Sequence, residues 1–354
     1  QPNAAGVAQW SRRQKLGYSL LLSHGHNWIR TCPPEMFTEH PEWYMVSGGQ
    51  RTPPSGDYYK LCQTNPSTIR RFAEAACDYF TRNPHSTCFS LSPSDGGGWC
   101  ECETCKSYYE TDPRGKLSVT PAVIYFYNEV AKLVRPHFPD KILAGYVYAS
   151  YVFPPSKPFK LEPNIFLVWA PSFDYGYTLY RPQTQELFDS LLPQWPNITT
   201  NLAFYDLPNN VANALGAPNA PGLEILQFLY PRIKTHRMKG VYVYGHAAWG
   251  HAAATNYLLA KLAWNPLADV NALFRDFCDH AYAEGSAEMQ EFYHLLDRAT
   301  KEYYIENLTE TYTLSQDRLR KVYAANFPEF ERLYVSALGK IQDAPARFRL
   351  ERLG

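Results

Sequence analysis

Six short apolar runs, separated by amphipathic helical stretches, constrain this 354-residue chain more than any other feature. Residues 17–23, 87–92, 142–149, 165–170, 201–206 and 240–244 read as strands, each ended by Gly, Pro, Asp or Ser. Helical patterns lie between or after them, over 67–81 behind the start signal Asn65-Pro66, then 121–137, 183–194, 221–237 and 255–264. Strands that are apolar on both faces, alternating with helices, predict a parallel α/β sheet, and the expected fold is a TIM-like (β/α) barrel. Fewer than eight strands are visible, so the barrel is expected to be incomplete at its N-terminus or to hold strands not recognisable by pattern. From about Leu267 the strand signal stops, and 269–282, 286–304 and 315–341 read as helices. The expected organisation is therefore a barrel domain over 1–266 and a helical C-terminal flank over 267–354.

The stretch from Ser90 to Cys105 follows one of these strands and places Asp95, three glycines (Gly96, Gly97, Gly98), Trp99 and the thiols of Cys100, Cys102 and Cys105 on one loop. Packing alone seldom asks for that combination, and a Gly-rich turn after a strand lets backbone approach a ligand. In a barrel, the C-terminal strand ends share one face, where catalytic groups collect. That face would carry His24, His26 and Trp28, then Asp95 and Trp99, then Tyr148 and Tyr151. It continues with Trp169, Asp174 and Tyr177, then Tyr205 and Asp206, and last Tyr244, His246 and Trp249.

Glycoside hydrolysis needs two carboxyl groups, or one carboxyl and a carboxylate that orients a substrate acetamide, between aromatic walls. Asp95, Asp174 and Asp206 are the candidate catalytic residues. His24, His26, Trp28, Trp99, Tyr148, Trp169, Tyr177, Tyr205, Tyr244, His246 and Trp249 are the candidate substrate-binding ones. The chain's 27 Tyr, 19 Phe and 8 Trp support sugar-ring recognition as a set, although any one of them is more often core. A post-strand Asp is also commonly a helix cap or turn residue. The His pair around Gly25 fits hydrogen bonding better than metal ligation.

Cys100-x-Cys102-x-x-Cys105 could supply three ligands to zinc, with Cys88, Cys62 or His85 as a fourth. Without a second, distant pair, disulfides or structural thiols are the favoured reading, and no metal or cofactor is assigned. The sequons at Asn197 and Asn307 decide nothing. Lys+Arg and Asp+Glu both number 34, so no net field favours nucleic acid or an anionic membrane. No apolar run is long enough to span a bilayer. The start, Gln1-Pro2-Asn3, has neither Met nor a signal core and reads as processed or excised. No nucleophile elbow or dinucleotide loop follows a strand. The expected partner is an oligosaccharide or polysaccharide, and oligomeric state is not legible.

Several blocks together resemble a known family: Gly25-His26-Asn27, Pro33-Pro34-Glu35, residues 39–44, Gly49-Gln50-Arg51, 61–66, 92–105 and 257–266. They are similar to the domain of unknown function 4838, a group that includes glycoside hydrolase family 163, endo-β-N-acetylglucosaminidases of complex N-glycans. The resemblance implies a secreted or periplasmic bacterial enzyme with a (β/α) barrel, commonly preceded by an α/β domain. It matches Asp95 to the family's Asp-Gly-Gly loop, Asp206 to a strand-end Asp and Asp174 to a position expected to be Glu. Ser94 stands where Asn is usual, and Val243-Tyr244 where many relatives have a Glu. The expected function is a retaining hydrolase of N-acetylglucosamine-containing glycans. The alternatives are a non-catalytic glycan-binding barrel that has lost its acid and a hydrolase of uronic-acid-containing polysaccharide.

Overall fold

The computed structural model describes residues 9, 22–171, 177–206, 217–243, 249–310 and 314–353, with the backbone alone at Asp206 and Trp249. Among them the parallel α/β expectation holds. Strands β3 (Cys88–Ser90), β6 (Ile142–Tyr148), β7 (Ile165–Ala170), β8 (Leu202–Asp206) and β9 (Val241–Val243) form a five-stranded sheet in that order. Two small antiparallel hairpins escaped the sequence pattern, β1 (Val46–Ser47) with β2 (Gln50–Arg51) and β4 (Glu110–Thr111) with β5 (Leu117–Ser118). Two-residue strands have no periodicity to read. Of the expected strand at 17–23, only Leu22 and Ser23 are described, and they are not in a strand. An eight-stranded closure is thus not seen among the described residues.

By contact the chain forms two compact units, residues 1–170 with 194–203, and residues 171–193 with 204–354. In the first unit, α1 (Pro66–Arg82) starts where expected because the Asn65 side chain accepts from the Ser67 and Thr68 amides, 2.8 and 3.4 Å, with Pro66 leading the first turn. Helix α2 (Thr120–Val134) packs on α1 and on β6. Every residue of β7 is buried, as a strand covered on both faces requires.

Close packing of α2 on β6 depends on Gly145. A Cβ there would collide with the ring of Tyr127, whose hydroxyl donates to the Tyr146 carbonyl at 3.0 Å. Cys88, Ala144, Phe166 and Ala203 close a core cluster in the same unit, with Leu22 and Ile142 packed on it.

The second unit contains α3 (Pro182–Leu191), the end of β8 with β9, α4 (Leu223–Thr235), α5 (Trp249–Trp264), α6 (Val270–Tyr282), α7 (Ser286–Glu306), α8 (Phe327–Lys340) and α9 (Ala344–Glu351). The expected long helix over 315–341 is instead a turn at Gln316–Arg318, a wide turn over Leu319–Ala324 and then α8. Pro328, in the first turn of α8, accounts for the break, because it has no N–H to bond a preceding turn and its ring would clash with the carbonyl four residues back. Asp297 ties this unit together. It is buried in α7 and accepts from the Tyr180 hydroxyl at 2.5 Å and from the Gly222 and Leu223 amides at 2.8 and 3.1 Å, which caps α4. Burial pushes its pKa up even though all three donors pull it down.

Two outcomes follow. Gly145→Ala should destabilise the protein by about 1–3 kcal/mol, an overpacking cost read by denaturant unfolding. An unchanged midpoint would deny the close contact. For Asp297, folding raises the pKa, so its contribution to stability is greatest below the unfolded value and declines as pH rises through the folded one. Asp297→Asn should flatten that part of the stability–pH curve, and a curve identical to wild type would refute the assignment.

Candidate functional site

The exit of β3 is held by the segment His24 to Asn27, which lies alongside it. The Asn27 side chain donates to the Ser90 carbonyl at 2.8 Å, and its amide to the Ser92 carbonyl at 3.0 Å. The Ser90 and Ser92 hydroxyls return to the carbonyls of Gly25 and His24, 2.5 and 2.6 Å, and the Tyr146 amide donates to Ser92 Oγ at 2.9 Å. These bonds leave little freedom at the point where the loop departs. Beyond it, Gly96 and Gly98 have φ of 81° and 79°, a left-handed backbone that side chains resist.

Asp95 sits exposed at the head of this loop. Its carboxylate accepts from the Tyr148 hydroxyl and, at 2.9 Å, from the Gly96 amide. Partial desolvation raises its pKa, but the Tyr148 and Gly96 hydrogen bonds and the charges of His26 and Lys60 outweigh that and hold it below the ordinary aspartate value. His26, half-buried, pairs through Nδ1 with the Pro93 carbonyl. A carbonyl partner places the proton on Nδ1 and leaves Nε2 as an acceptor. The His26 ring lies 5.3 Å from Tyr146 and 6.0 Å from Tyr148, so four chemically active groups share one end of β3 and β6.

Lys60 is the residue that sequence reasoning missed. It is 1% exposed, and its Nζ donates to the carbonyls of Ser94 and Asp95 at 2.8 and 2.7 Å while standing 5.2 Å from the centre of the Trp99 ring. Burial pulls its pKa down to about 8, with the Asp95 charge opposing. Its only sequence signal was a lysine inside the apolar run Tyr58-Tyr59-Lys60-Leu61-Cys62. Trp99 is nearly enclosed, its indole N–H bonded to Ser150 Oγ at 2.7 Å and its ring against Tyr151. Ala149, between Tyr148 and Ser150, has a φ of 52°. That strain, on the order of 1–2 kcal/mol, is spent turning Tyr148 toward Asp95 and Ser150 toward Trp99.

Other predicted residues fall differently. Trp28 and Trp169 are fully buried, donating to the Leu91 and Val152 carbonyls at 2.8 and 2.9 Å, and Tyr177 is buried with its hydroxyl on the Ala220 carbonyl at 3.0 Å. All three are core, not sugar platforms, because a ring sealed on both faces offers none to a ligand. His24 is also buried, Nδ1 on the Leu22 carbonyl at 3.1 Å and its ring edge-on to Tyr146, and burial lowers its pKa. It supports the site from below. Tyr205 is half-buried beside Tyr242 in the second unit. Asp174, Tyr244 and His246 lie outside the described residues, as do the side chains of Asp206 and Trp249. Buried and without a hydrogen-bond partner near Asp95 are Ser94 Oγ and the Tyr151 hydroxyl.

A second cluster adjoins the loop. The thiols of Cys62, Cys100, Cys102 and Cys105 all lie within 4.8 Å of one another, the one set of metal-ligating side chains of this kind found among the described residues. Of the three fourth members weighed from sequence, Cys62 is the one in place. Cys88 points its thiol at the Ser23 carbonyl, 3.3 Å away, and His85 is exposed.

Tyr148→Phe removes the hydroxyl donor, so the Asp95 carboxyl should titrate at higher pH than in wild type, read by side-chain carbon NMR. Since folding lowers this pKa, whatever stability Asp95 lends is complete above the unfolded value and lost as pH falls through the folded one. A midpoint that stays put or drops in the variant would count against the Tyr148 bond.

A comparison with curated proteins finds no match. The profile of a family described as a domain of unknown function (DUF4838) matches residues 6–294. That span takes in the Asp95 loop, all four clustered cysteines and every strand of the five-stranded sheet, and the chain is a member of the DUF4838 family.

Proposed function

We propose that this chain is a retaining glycoside hydrolase of N-acetylglucosamine-containing glycans, related to glycoside hydrolase family 163 and built on a (β/α) barrel of which the five parallel strands are part. The observation that carries the reading is Asp95 at a strand exit, hydrogen-bonded by Tyr148 and Gly96 and flanked by His26, Tyr146 and Trp99. Sugar sites combine such a carboxylate with aromatic rings. A secreted or periplasmic bacterial setting belongs to the same reading. No described helix is long and apolar enough to cross a membrane.

The electrostatics divide the roles. A general acid needs a raised pKa, and Asp95 has a lowered one. Asp95 therefore acts as the permanently ionised carboxylate, orienting the substrate acetamide so that its oxygen attacks the anomeric carbon and stabilising the positive charge that develops there. Tyr148 and Gly96 keep it charged and aimed. The proton for the leaving oxygen would come from a second carboxyl, for which the sequence offers Asp206 and Asp174. His26, through Nε2, serves a sugar hydroxyl.

A glycan-binding protein without hydrolysis is the second reading. Val243 favours it: this residue, in register with Asp206 on β8, occupies the place where the family resemblance puts an acid.

Incubation with a panel of N-glycans and uronic-acid-containing polysaccharides separates the readings. Wild type should release N-acetylglucosamine-containing products, and Asp95→Asn should lower the rate by about 10²–10⁴-fold while still binding the glycan. Binding without cleavage by wild type would select the second reading. Cleavage confined to uronic-acid polymers, or an Asp95→Asn variant as fast as wild type, would overturn the first.

A further inference from the structure

The loop that carries Asp95 and Trp99 ends in the cysteine cluster, and the segment that carries Lys60 enters it from the other side at Cys62. We propose that Cys62, Cys100, Cys102 and Cys105 bind one Zn²⁺ as a closed tetrahedral thiolate site that fixes the Asp95 loop to the Lys60 segment. The inference stands independently of whether the chain cleaves glycans.

Sulfur spacing is the first argument. A tetrahedral ion with Zn–S bonds of about 2.3 Å sets its sulfurs about 3.8 Å apart. The Cys62 sulfur lies 3.7 Å from that of Cys102 and 3.8 Å from that of Cys105, with all four inside 4.8 Å. A disulfide would need about 2.0 Å. Iron–sulfur clusters spread their cysteines over separate irons and require a wider cage. Four soft sulfur ligands without a carboxylate or imidazole select zinc over harder cations.

The surroundings suit thiolates. The Val46 amide donates to Cys100 Sγ at 3.3 Å and the Cys105 amide to Cys102 Sγ at 3.4 Å. Thr64 Oγ1 lies 3.1 Å from Cys105 Sγ, and the Arg51 guanidinium 4.0 Å from Cys62 Sγ. Zinc with four thiolates carries two net negative charges, which amide donors and one nearby cation offset. Cys62, Cys100 and Cys105 are buried and Cys102 is half-buried, among Met45, Val46 and Tyr109. With four protein ligands no position is left for water or substrate, so the ion is structural. Left free in an oxidising compartment, thiols this close would be expected to pair, and a bound ion would protect them.

Spacing alone undervalues this site because zinc motifs are usually recognised as two cysteine pairs. Here the fourth ligand is a single cysteine from a distant segment, brought in when the Cys62 amide bonds the Trp43 carbonyl at 2.8 Å.

The test is elemental analysis of the intact protein, purified without chelator from zinc-containing medium. About one zinc per chain is expected. Cys62→Ser should retain at least tenfold less, while Cys278→Ser, a buried thiol of the second unit, should retain the full amount. If Cys62→Ser does not fold, mercurial titration of wild type with a zinc-sensitive dye should release the ion as the clustered thiols react. Hydrogen exchange of the amides over 94–105 should then accelerate at least tenfold, with those of α7 unchanged. Wild type holding less than a tenth of an equivalent of zinc, one equivalent of iron in its place, or two disulfides mapped among the four cysteines would overturn the site. Exchange over 94–105 that ignores zinc release would overturn its role in fixing the loop.

Discussion

Strand β6 is the constraint on which the first unit depends. It pairs in parallel on one side with β3 over 142–144 and on the other with β7 over 143–148. Its back is pressed to α2 through Gly145, where the missing side chain admits the Tyr127 ring. Its far end supplies Tyr148. The same strand that organises the core therefore delivers the hydroxyl that holds Asp95, so the position of that carboxylate is tied to sheet packing.

Two opposite electrostatic situations meet at that end. Asp95 is exposed and well supplied with donors, and it remains ionised. Lys60 is enclosed, its hydrogen bonds going to main-chain carbonyls and its ammonium standing over the Trp99 ring, and burial weakens its hold on a proton. Lys60 bonds the carbonyl of the residue whose carboxylate its charge stabilises, so it both braces the loop and tunes its acid. The cysteine cluster lies at the next residues along each of the two segments, which gives one small region a brace of hydrogen bonds and the means for a metal brace as well.

Much of this was legible in advance for local reasons. Strand 165–170 announced itself because burial on both faces leaves no polar alternation to confuse the pattern, strand 142–149 because its residues are apolar or aromatic throughout, and α1 began where Asn65-Pro66 said it would. The Asp95 loop stood out because glycines and an indole beside a carboxylate are seldom placed together by packing alone. The aromatic residues were harder. In the sequence Trp28, Trp99 and Tyr148 all stand at or after expected strand ends, yet Trp28 is sealed, Trp99 nearly so and Tyr148 half open. A large ring serves equally as core filler or as ligand wall, and which it becomes depends on what packs against its second face.

The amino-acid sequence by itself determined the alternation of strands and helices, the parallel sheet and the glycine-rich loop after β3, since these follow from hydrophobic periodicity and turn residues within a few positions of one another. Tertiary structure alone decided that Lys60 lies buried beneath that loop, that Tyr148 rather than Trp28 reaches Asp95, and that Cys62 rather than Cys88 or His85 completes the thiol cluster. Those outcomes join segments far apart along the chain, and no local pattern records which distant side chain the packing of a sheet will bring within bonding distance.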